Sequence, residues 1–299
     1  MTPAPAIAVR DLQVRLRPPR RPGAAPAAIL RGLSFTAPAG QVTAIVGANG
    51  AGKTTALRTI IGAVPAAAGS IEVMGRVMGP ADVPLPEGVA VVADASPYPD
   101  HWTAHDVARL HQACVPRFSV RRLGAELRAH EVDLDTRIRD LSRGQVTQLL
   151  VAAALASAPQ LLILDEPLAR LDPLAREELV DRLRTQLATE DTTIVLTTHD
   201  LDGMDRFVDH LVVIAGGRCV LEGAVEDLRD ELVLVELPGL LPSGLALQGA
   251  ERIGDLTRGL LPADDAAGLP PAARLLRPGL TDLVTGALRH ARGTDRTDR

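Results

Sequence analysis

The sequence predicts an α/β fold with a mainly parallel sheet, and two observations support this. Two short apolar runs, LLILDEP (161–167) and TTIVLTTHD (192–200), flank a charged amphipathic segment at 174–189, which is the pattern of parallel strands covered by a helix. A third run, QVTAIV, ends in a glycine-rich turn that opens a helical pattern at 53–61. Strands and helices that alternate in this way build a sheet with helices on its faces.

Two further strands are predicted before this core. Residues 7–16 alternate between apolar and polar side chains, and a second strand pattern, AILRGLSFTAP, follows the proline-rich stretch 17–28. We interpret that stretch as a solvated hairpin loop. The pair of strands is then a small N-terminal antiparallel β subdomain.

The sequence changes character twice after the first helix. From 100 to 141 it is polar and arginine-rich with helical periodicity, which predicts a small helical insertion at about 100–157. Beyond 223, glycine and proline are scattered, with a weak strand in ELVLVELPG and a helical segment in LTDLVTGALRH. We therefore divide the chain into a main domain, 1–223, and a small C-terminal extension, 224–299, to which the sequence assigns no role.

Composition argues against several classes of protein. The net charge of the 299 residues is -5, and the 32 basic and 37 acidic residues are spread along the chain, so no nucleic acid partner is expected. Two distant cysteines, Cys114 and Cys219, offer neither a disulfide framework nor a cysteine-rich zinc site, which fits a reducing compartment. No stretch has the pattern of a signal peptide or a membrane span, so we expect any membrane role to come through a partner chain.

Residues 47–54, GANGAGKT, fit the phosphate-loop pattern G-x-x-x-x-G-K-[ST] between a predicted strand and a predicted helix. The glycines let backbone N–H groups turn toward phosphate oxygens, Lys53 adds a mobile positive charge, and Thr54 offers a hydroxyl to Mg²⁺. Lys53 is also the only lysine among the 32 basic residues. The alternative is an ordinary glycine-rich turn. The predicted nucleotide-binding residues of this loop are Gly47, Asn49, Gly50, Ala51, Gly52, Lys53, Thr54 and Thr55.

Two carboxylates, Asp165 and Glu166, follow the apolar run 161–164, at the carboxyl end of a buried strand where nucleotides bind on open α/β sheets. An uncompensated acidic pair is costly there. With phosphate and Mg²⁺ present, Asp165 would hold the magnesium shell through water, and Glu166 would activate the attacking water as general base. The alternative is that a strand-end Asp-Glu pair is a common loop feature.

Ser142 and His199 are two further candidates. Ser142 precedes the helical run VTQLLVAAALA, so it is predicted to cap that helix at an end that attracts anions. His199 ends the strand TTIVLTT. Taken singly, the first is explained by a well-capped helix and the second by a histidine with a purely structural contact.

Together these motifs resemble the nucleotide-binding subunit of ATP-binding cassette (ABC) transporters. The match covers about residues 7–222 and keeps the family's order: Walker A at 47–54, the signature LSRGQ at 141–145, Walker B at 161–166, the D-loop at 169–172 and the switch histidine His199. The signature is the specific element, because many other P-loop ATPases share the two Walker motifs without it. The resemblance implies a P-loop NTPase core that binds ATP and Mg²⁺.

The family also implies partners and roles. Two ABC subunits, either identical or different, would form a head-to-tail dimer in which Walker A of one and the signature of the other enclose each ATP. His199 would contact the γ-phosphate and hold Glu166, Lys53 would join them in catalysis, and Asp172 would communicate across the interface. A separately encoded integral membrane permease would hold the subunit at the cytoplasmic face of a bacterial cell membrane. The signature residues that act in trans are Ser142, Arg143, Gly144 and Gln145.

Three positions depart from the family pattern. Asp94 stands where the family has a glutamine near Mg²⁺; we expect it either to meet the metal as a shorter, charged ligand or only to cap the following turn. The adenine-stacking aromatic is missing at the end of the first strand, where Leu16 or the plane of an arginine would cover the base with less stacking, so we expect weak discrimination between ATP and GTP. Arg143 replaces the usual signature glycine, a milder change because Gly144 keeps the close backbone approach.

Three functions remain to be weighed. The first is an ATPase subunit that drives a transporter, with export favoured by Asp94, the short helical insertion and the tail LLRPGLTDLVTGAL. The alternative is a soluble ABC ATPase acting on ribosomes or DNA, but such relatives usually carry two cassettes or a coiled-coil insertion, and this chain has one Walker A and no basic patch. The intact Lys53, Asp165, Glu166 and His199 argue against the third, a regulatory protein without ATPase activity.

Overall fold

The structure is a computed structural model of the chain that describes residues 4–17, 25–79, 84–130, 132–242 and 244–297. The described strands are β1 (Ile7–Leu16), β2 (Ala27–Ala37), β3 (Val42–Val46), β4 (Ala68–Val73), β5 (Arg76–Val77), β6 (Val89–Val92), β7 (Leu161–Asp165), β8 (Thr193–Thr198), β9 (His210–Ala215), β10 (Arg218–Ala224), β11 (Leu232–Pro238), β12 (Gln248–Ile253), β13 (Leu256–Pro262) and β14 (Arg274–Leu276). The described α-helices are α1 (Lys53–Ile60), α2 (Ala104–Cys114), α3 (Val120–Ala129), α4 (Arg143–Leu155), α5 (Pro173–Glu190), α6 (Val225–Glu231) and α7 (Leu280–Thr297).

A six-stranded sheet forms the centre of the molecule, with the strand order β10-β9-β3-β8-β7-β6. β3 pairs in parallel with β8 on one side and β9 on the other, and β7 pairs in parallel with β8 and β6. Only the edge strand β10 runs antiparallel in this sheet. The predicted α/β fold with a mainly parallel sheet is confirmed. The carboxyl ends of β3, β7 and β8 consequently meet at one edge, where ligands bind in open α/β sheets.

Both faces of the central sheet are buried, which explains the continuous apolar runs of its strands. On β7, Leu162 and Leu164 pack into the cluster that contains α4 and α5. Leu161 and Ile163, on the opposite face, pack into the cluster that contains α1 and the N-terminal strands. All four side chains are fully buried.

The N-terminal subdomain is a four-stranded antiparallel sheet in the order β2-β1-β4-β5. The two predicted strands, β1 and β2, are present and pair as expected. β4 and β5 were not predicted, because β4 begins with alanine, glycine and serine and β5 has only two residues, so neither has a clear strand pattern. Most of the predicted hairpin loop at 17–28 lies outside the described residues.

The helical insertion is present as α2, α3 and α4. Thr103 caps α2 and Ser142 caps α4, each in a capping box with the third residue of its helix. The three helices bury Val107, Leu127 and Leu149 in a cluster of their own. This separate core makes the insertion a compact unit beside the central sheet.

The C-terminal segment contains more structure than the sequence predicts. The weak strand is β11, and it belongs to a second antiparallel sheet in the order β12-β13-β11-β14. The helical segment is α7, whose Leu280, Leu283 and Val284 are buried in the same cluster as the central sheet. The described helices include none long and apolar enough to cross a bilayer.

Candidate nucleotide-binding site

The phosphate loop connects β3 to α1 and depends on glycines at two close approaches. A Cβ at Gly47 would collide with the backbone oxygen of Ile214, and Gly52 has a φ of 112° and would place a Cβ 2.7 Å from Leu30. Neither position accepts a side chain without a shift of its neighbours. The loop therefore keeps its backbone tightly turned, as phosphate binding by N–H groups requires.

Lys53 is the first residue of α1, and its side chain is only 6% exposed. Its Nζ donates to the Gly47 carbonyl oxygen at 2.8 Å and lies 3.2 Å from Glu166 Oε1. A buried ammonium is costly unless it is paired. The single lysine of the chain is thus held at the phosphate loop by one carbonyl and one carboxylate.

Asp165 ends β7 and is joined to the loop by hydroxyl groups. Its Oδ1 accepts hydrogen bonds from Thr54 at 3.2 Å and from Thr197 on β8 at 2.7 Å. The same Thr197 hydroxyl accepts the backbone N–H of Glu166 at 2.9 Å. Sequence reasoning missed Thr197, although a buried threonine at the end of an apolar strand was the available signal.

Glu166 has one oxygen near Lys53 and the other on His199, whose Nδ1 lies 2.8 Å from Oε2. The backbone of Glu166 has a φ of 50°, a conformation that residues other than glycine rarely adopt. Such strain persists where surrounding contacts fix it, and it is typical of functional sites. The carboxylate is 15% exposed and the imidazole 48% exposed, so solvent reaches the histidine side of the pair.

A negative charge is maintained next to His199. A backbone hydrogen bond from Asp202 lowers the pKa of Asp200, and its ion pair with Arg176 adds to this effect. Asp200 therefore stays ionised at neutral pH and anchors the turn that carries the histidine.

A cavity of about 630 Å³ lies over the phosphate loop. It brings together eleven predicted site residues: Asn49, Gly50, Ala51, Gly52, Lys53, Thr54, Thr55, Asp94, Arg143, Glu166 and His199. Seven others do not line it: Leu16, Gly47, Ser142, Gly144, Gln145, Asp165 and Asp172. We expected Leu16, at the end of β1, to line this cavity. Ile29 of β2 lines it instead, and Leu16 lies at the end of the β1–β2 pair, opposite Ala27. Sequence reasoning missed Ile29.

Asp94 follows β6 and forms an ion pair with Arg170 of the D-loop, with Oδ1 2.8 Å from the guanidinium nitrogen. Both side chains line the cavity, and they are 44% and 36% exposed. Arg170 was not singled out from the sequence. A carboxylate following β6 with a cation in the 169–172 loop was the signal that could have paired them.

The signature segment begins α4. Ser142 Oγ accepts the backbone N–H of Gln145 at 3.1 Å, and the Gln145 side chain accepts the Ser142 N–H at 3.0 Å. A Cβ on Gly144 would lie 3.6 Å from the Arg170 carbonyl oxygen, so this turn packs on the D-loop. Asp172 caps α5 by accepting the N–H of Ala175 at 3.0 Å. Serine and aspartate both serve as helix caps here, with exposed side chains.

Comparison with known proteins identifies relatives of this chain. Residues 30–169 match the ABC transporter family. The chain is 36% identical over 234 residues to the Nod factor export ATP-binding protein I of Rhizobium meliloti, covering 73% of this chain and 67% of the relative. It is 35% identical over 229 residues to the protein of the same name from Rhizobium leguminosarum bv. viciae, covering 73% of each.

Solved structures agree with these relatives. An ATP-binding subunit of an ABC transporter has a TM-score of 0.64 and 28% identity, covering 75% of this chain and 92% of the other. A dimeric ATP-binding cassette bound to ADP and phosphate has a TM-score of 0.63 over 73% of this chain and 98% of the other; at 20% identity it supports the fold alone. Sequence, fold and relatives lead to one conclusion: the chain belongs to the ABC transporter family, as an ATP-binding subunit.

Proposed function

We propose that this subunit hydrolyses ATP in the presence of Mg²⁺ and thereby drives export through a separately encoded membrane permease. The observation that supports hydrolysis is the pair of contacts on Glu166, with Lys53 at 3.2 Å and His199 at 2.8 Å. A carboxylate fixed between a cation and an imidazole, beside a phosphate loop, is suited to accept a proton from water.

Each group then has one task in hydrolysis. The backbone N–H groups of the phosphate loop bind the phosphates, and Lys53 turns from Glu166 to the outer phosphates when ATP binds. Glu166 accepts a proton as the oxygen of water bonds to the γ-phosphorus and the bond to the leaving ADP oxygen breaks. His199 keeps Glu166 in position through Nδ1 and would contact the γ-phosphate through Nε2.

The oxygen groups near the loop fit Mg²⁺. Thr54 Oγ1 and Asp165 Oδ1 are 3.2 Å apart, and hydroxyl and carboxylate oxygens are the ligands that this cation prefers. Mg²⁺ bound there would offset the negative charge of the phosphates. Asp94 is a further candidate ligand, and it reaches a metal only when its ion pair with Arg170 opens.

The partner assignments are also proposals. Residues 1–223 would form the ATPase domain and 224–299 an extension packed on it, and two ABC subunits would enclose ATP between Walker A and the signature. Arg143 would join Ser142, Gly144 and Gln145 in that contact, with Asp172 at the interface. Export is supported by the rhizobial relatives, which are Nod factor export ATP-binding proteins. The chain would act at the cytoplasmic face of the membrane, bound to its permease.

Steady-state phosphate release tests the catalytic assignment. We expect Glu166→Gln to abolish turnover while the protein retains ATP, because glutamine keeps the shape of the side chain but accepts no proton. Glu177→Gln, an exposed glutamate on α5, is the matched control and should leave turnover unchanged. Equal turnover in wild type and Glu166→Gln would exclude Glu166 as the base.

Recovery of tagged Glu166→Gln protein with ATP and Mg²⁺ from detergent-solubilised source cells tests the transport assignment. A multi-span membrane protein in stoichiometric amount, identified by mass spectrometry, would support the proposal. Ribosomal proteins or nucleic acid without a membrane protein would contradict it and favour a soluble ABC ATPase.

A further inference from the structure

A second cavity, of about 350 Å³, lies on the phosphate loop, and most of its other walls come from elements that do not line the nucleotide cavity. It shares residues 48–51 with the nucleotide cavity, and its remaining walls come from β2, from the β9–β10 hairpin, and from α7. Lys53, Glu166 and His199 do not line it. The C-terminal segment, to which no role has been given, supplies one wall.

Three arginines line this cavity, one from each of those elements: Arg31, Arg218 and Arg292. No carboxylate lines it, and within the described ranges none of the three guanidinium groups forms an ion pair. By contrast, Arg289 on the same helix pairs with Glu251 at 2.6 Å. All three residues are exposed, so water screens their mutual repulsion, but together they make the potential of the concavity positive, which favours a bound anion.

The walls that carry the arginines are fixed by the fold. The N–H of Arg31 donates to the Gly217 carbonyl oxygen at 2.9 Å, and the N–H of Gly217 donates to the Ala51 carbonyl oxygen at 3.1 Å. A Cβ on Gly217 would collide with the backbone of β2, so the turn packs without a gap. α7 is held by Leu283, which is fully buried in the central core. The backbone segments that carry the three arginines are therefore in place before any ligand arrives.

We propose that this cavity binds a compact soluble anion carrying more than one phosphate group, at a second site that adjoins the ATP site across residues 48–51. Guanidinium groups match phosphate oxygens in pairs of parallel hydrogen bonds, and three of them balance a charge near -3. The cavity volume is more than ten times the roughly 30 Å³ that one water molecule occupies in the liquid, so the cavity has room for more than one phosphate group. Val220 and Leu288 also line the cavity, and their apolar side chains would contact a small organic group on the ligand.

Calorimetric titration of pyrophosphate into the full chain tests the proposal. The ATP site is first saturated with a non-hydrolysable ATP analogue in EDTA, and this occupancy is verified by its own titration, so that failure of the ATP site is seen separately. We expect one pyrophosphate per chain in the wild type. Arg292→Ala and Arg218→Ala should each weaken binding tenfold or more, because each removes charge-assisted hydrogen bonds.

Arg289→Ala is the matched control on the same helix and should bind pyrophosphate within twofold of wild type. Each variant is compared only if its unfolding midpoint equals that of wild type, and two cavity variants guard against one that misfolds. Absence of pyrophosphate binding to the saturated wild type would overturn the proposal, as would equal affinity in Arg292→Ala and Arg289→Ala. Arginine-dependent binding to phosphatidylglycerol vesicles without pyrophosphate binding would also overturn it, because the ligand would then be a lipid headgroup.

Discussion

Replacement of Glu166 by glutamine is expected to destabilise the nucleotide-free protein, separately from its effect on turnover. Glu166 and Lys53 are 15% and 6% exposed, and their charged atoms are 3.2 Å apart. At an effective dielectric constant of about 20, their attraction is about 5 kcal/mol. Desolvation of both groups offsets much of it. Glutamine still accepts a hydrogen bond from Lys53, so we expect a net loss of about 1–3 kcal/mol in the free energy of unfolding.

Urea unfolding at pH 7 in EDTA measures this loss, with Glu177→Gln as the control for a change at an exposed site. Saturating ATP should reverse the order of stability. In Glu166→Gln the phosphates of ATP pair with Lys53 and no longer face the negative charge of Glu166, so ATP should bind more tightly to the variant than to wild type. A ligand stabilises the folded protein in proportion to the logarithm of its concentration over Kd, so tighter binding is directly visible. Nucleotide-free stability of Glu166→Gln within about 0.5 kcal/mol of wild type would refute the reasoning.

Three further predictions follow from contacts outside the catalytic pair. A double-mutant cycle of Asp94→Asn and Arg170→Ala should give a coupling of about 0.2–1 kcal/mol in urea unfolding that disappears in 1 M salt, since both groups are partly exposed; no coupling at low salt would contradict it. Leu283→Ala should cost about 2–5 kcal/mol and leave one unfolding transition, whereas an early separate transition would show that the C-terminal segment is independent. Burial, with a contribution from the carboxylate of Glu222, raises the pKa of Cys219 to about 11. Iodoacetamide at pH 8 should therefore alkylate the exposed Cys114, and it should react with Cys219 about 100-fold more slowly than with a thiol of ordinary pKa. Equal rates of alkylation at the two cysteines would exclude this.

The fold was predictable where local pattern and burial agree. The apolar runs that form β3, β7 and β8 are buried on both faces of the sheet. Each is therefore continuously apolar, and this local pattern predicts a buried strand without knowledge of its neighbours in the sheet. β12, β13 and β14 were not predicted, because none of them has a sustained strand pattern: β14 has three residues, and glycine and charged residues interrupt β12 and β13. All three are placed by pairing, β13 and β14 with β11, and β12 with β13. Their existence depends on long-range contacts that no local window contains.

The candidate site divides in the same way. The phosphate loop, Asp165 and Glu166 could be identified from sequence because phosphate and metal binding require these residue types at this fixed spacing. The ion pair of Asp94 with Arg170 could not, because two loops far apart in sequence meet only in the folded sheet. Leu16 shows the opposite case: its position in sequence suggested contact with the base, and the direction of β1 and β2 brings Ile29 to the cavity.

The position of β3 in the sheet also determines how the protein folds. Both of its neighbours, β8 and β9, lie far along the chain, and the backbone N–H of Val42 bonds to Asp209, 167 residues away. Contacts between residues so far apart in sequence form slowly, because the entropy lost on closing a long loop comes before the stabilisation gained from strand pairing. Until then β3 presents two unpaired apolar edges, which promote association between partly folded chains. Refolding yield should therefore fall steeply with protein concentration, and the phosphate loop should be among the last parts of the molecule to form.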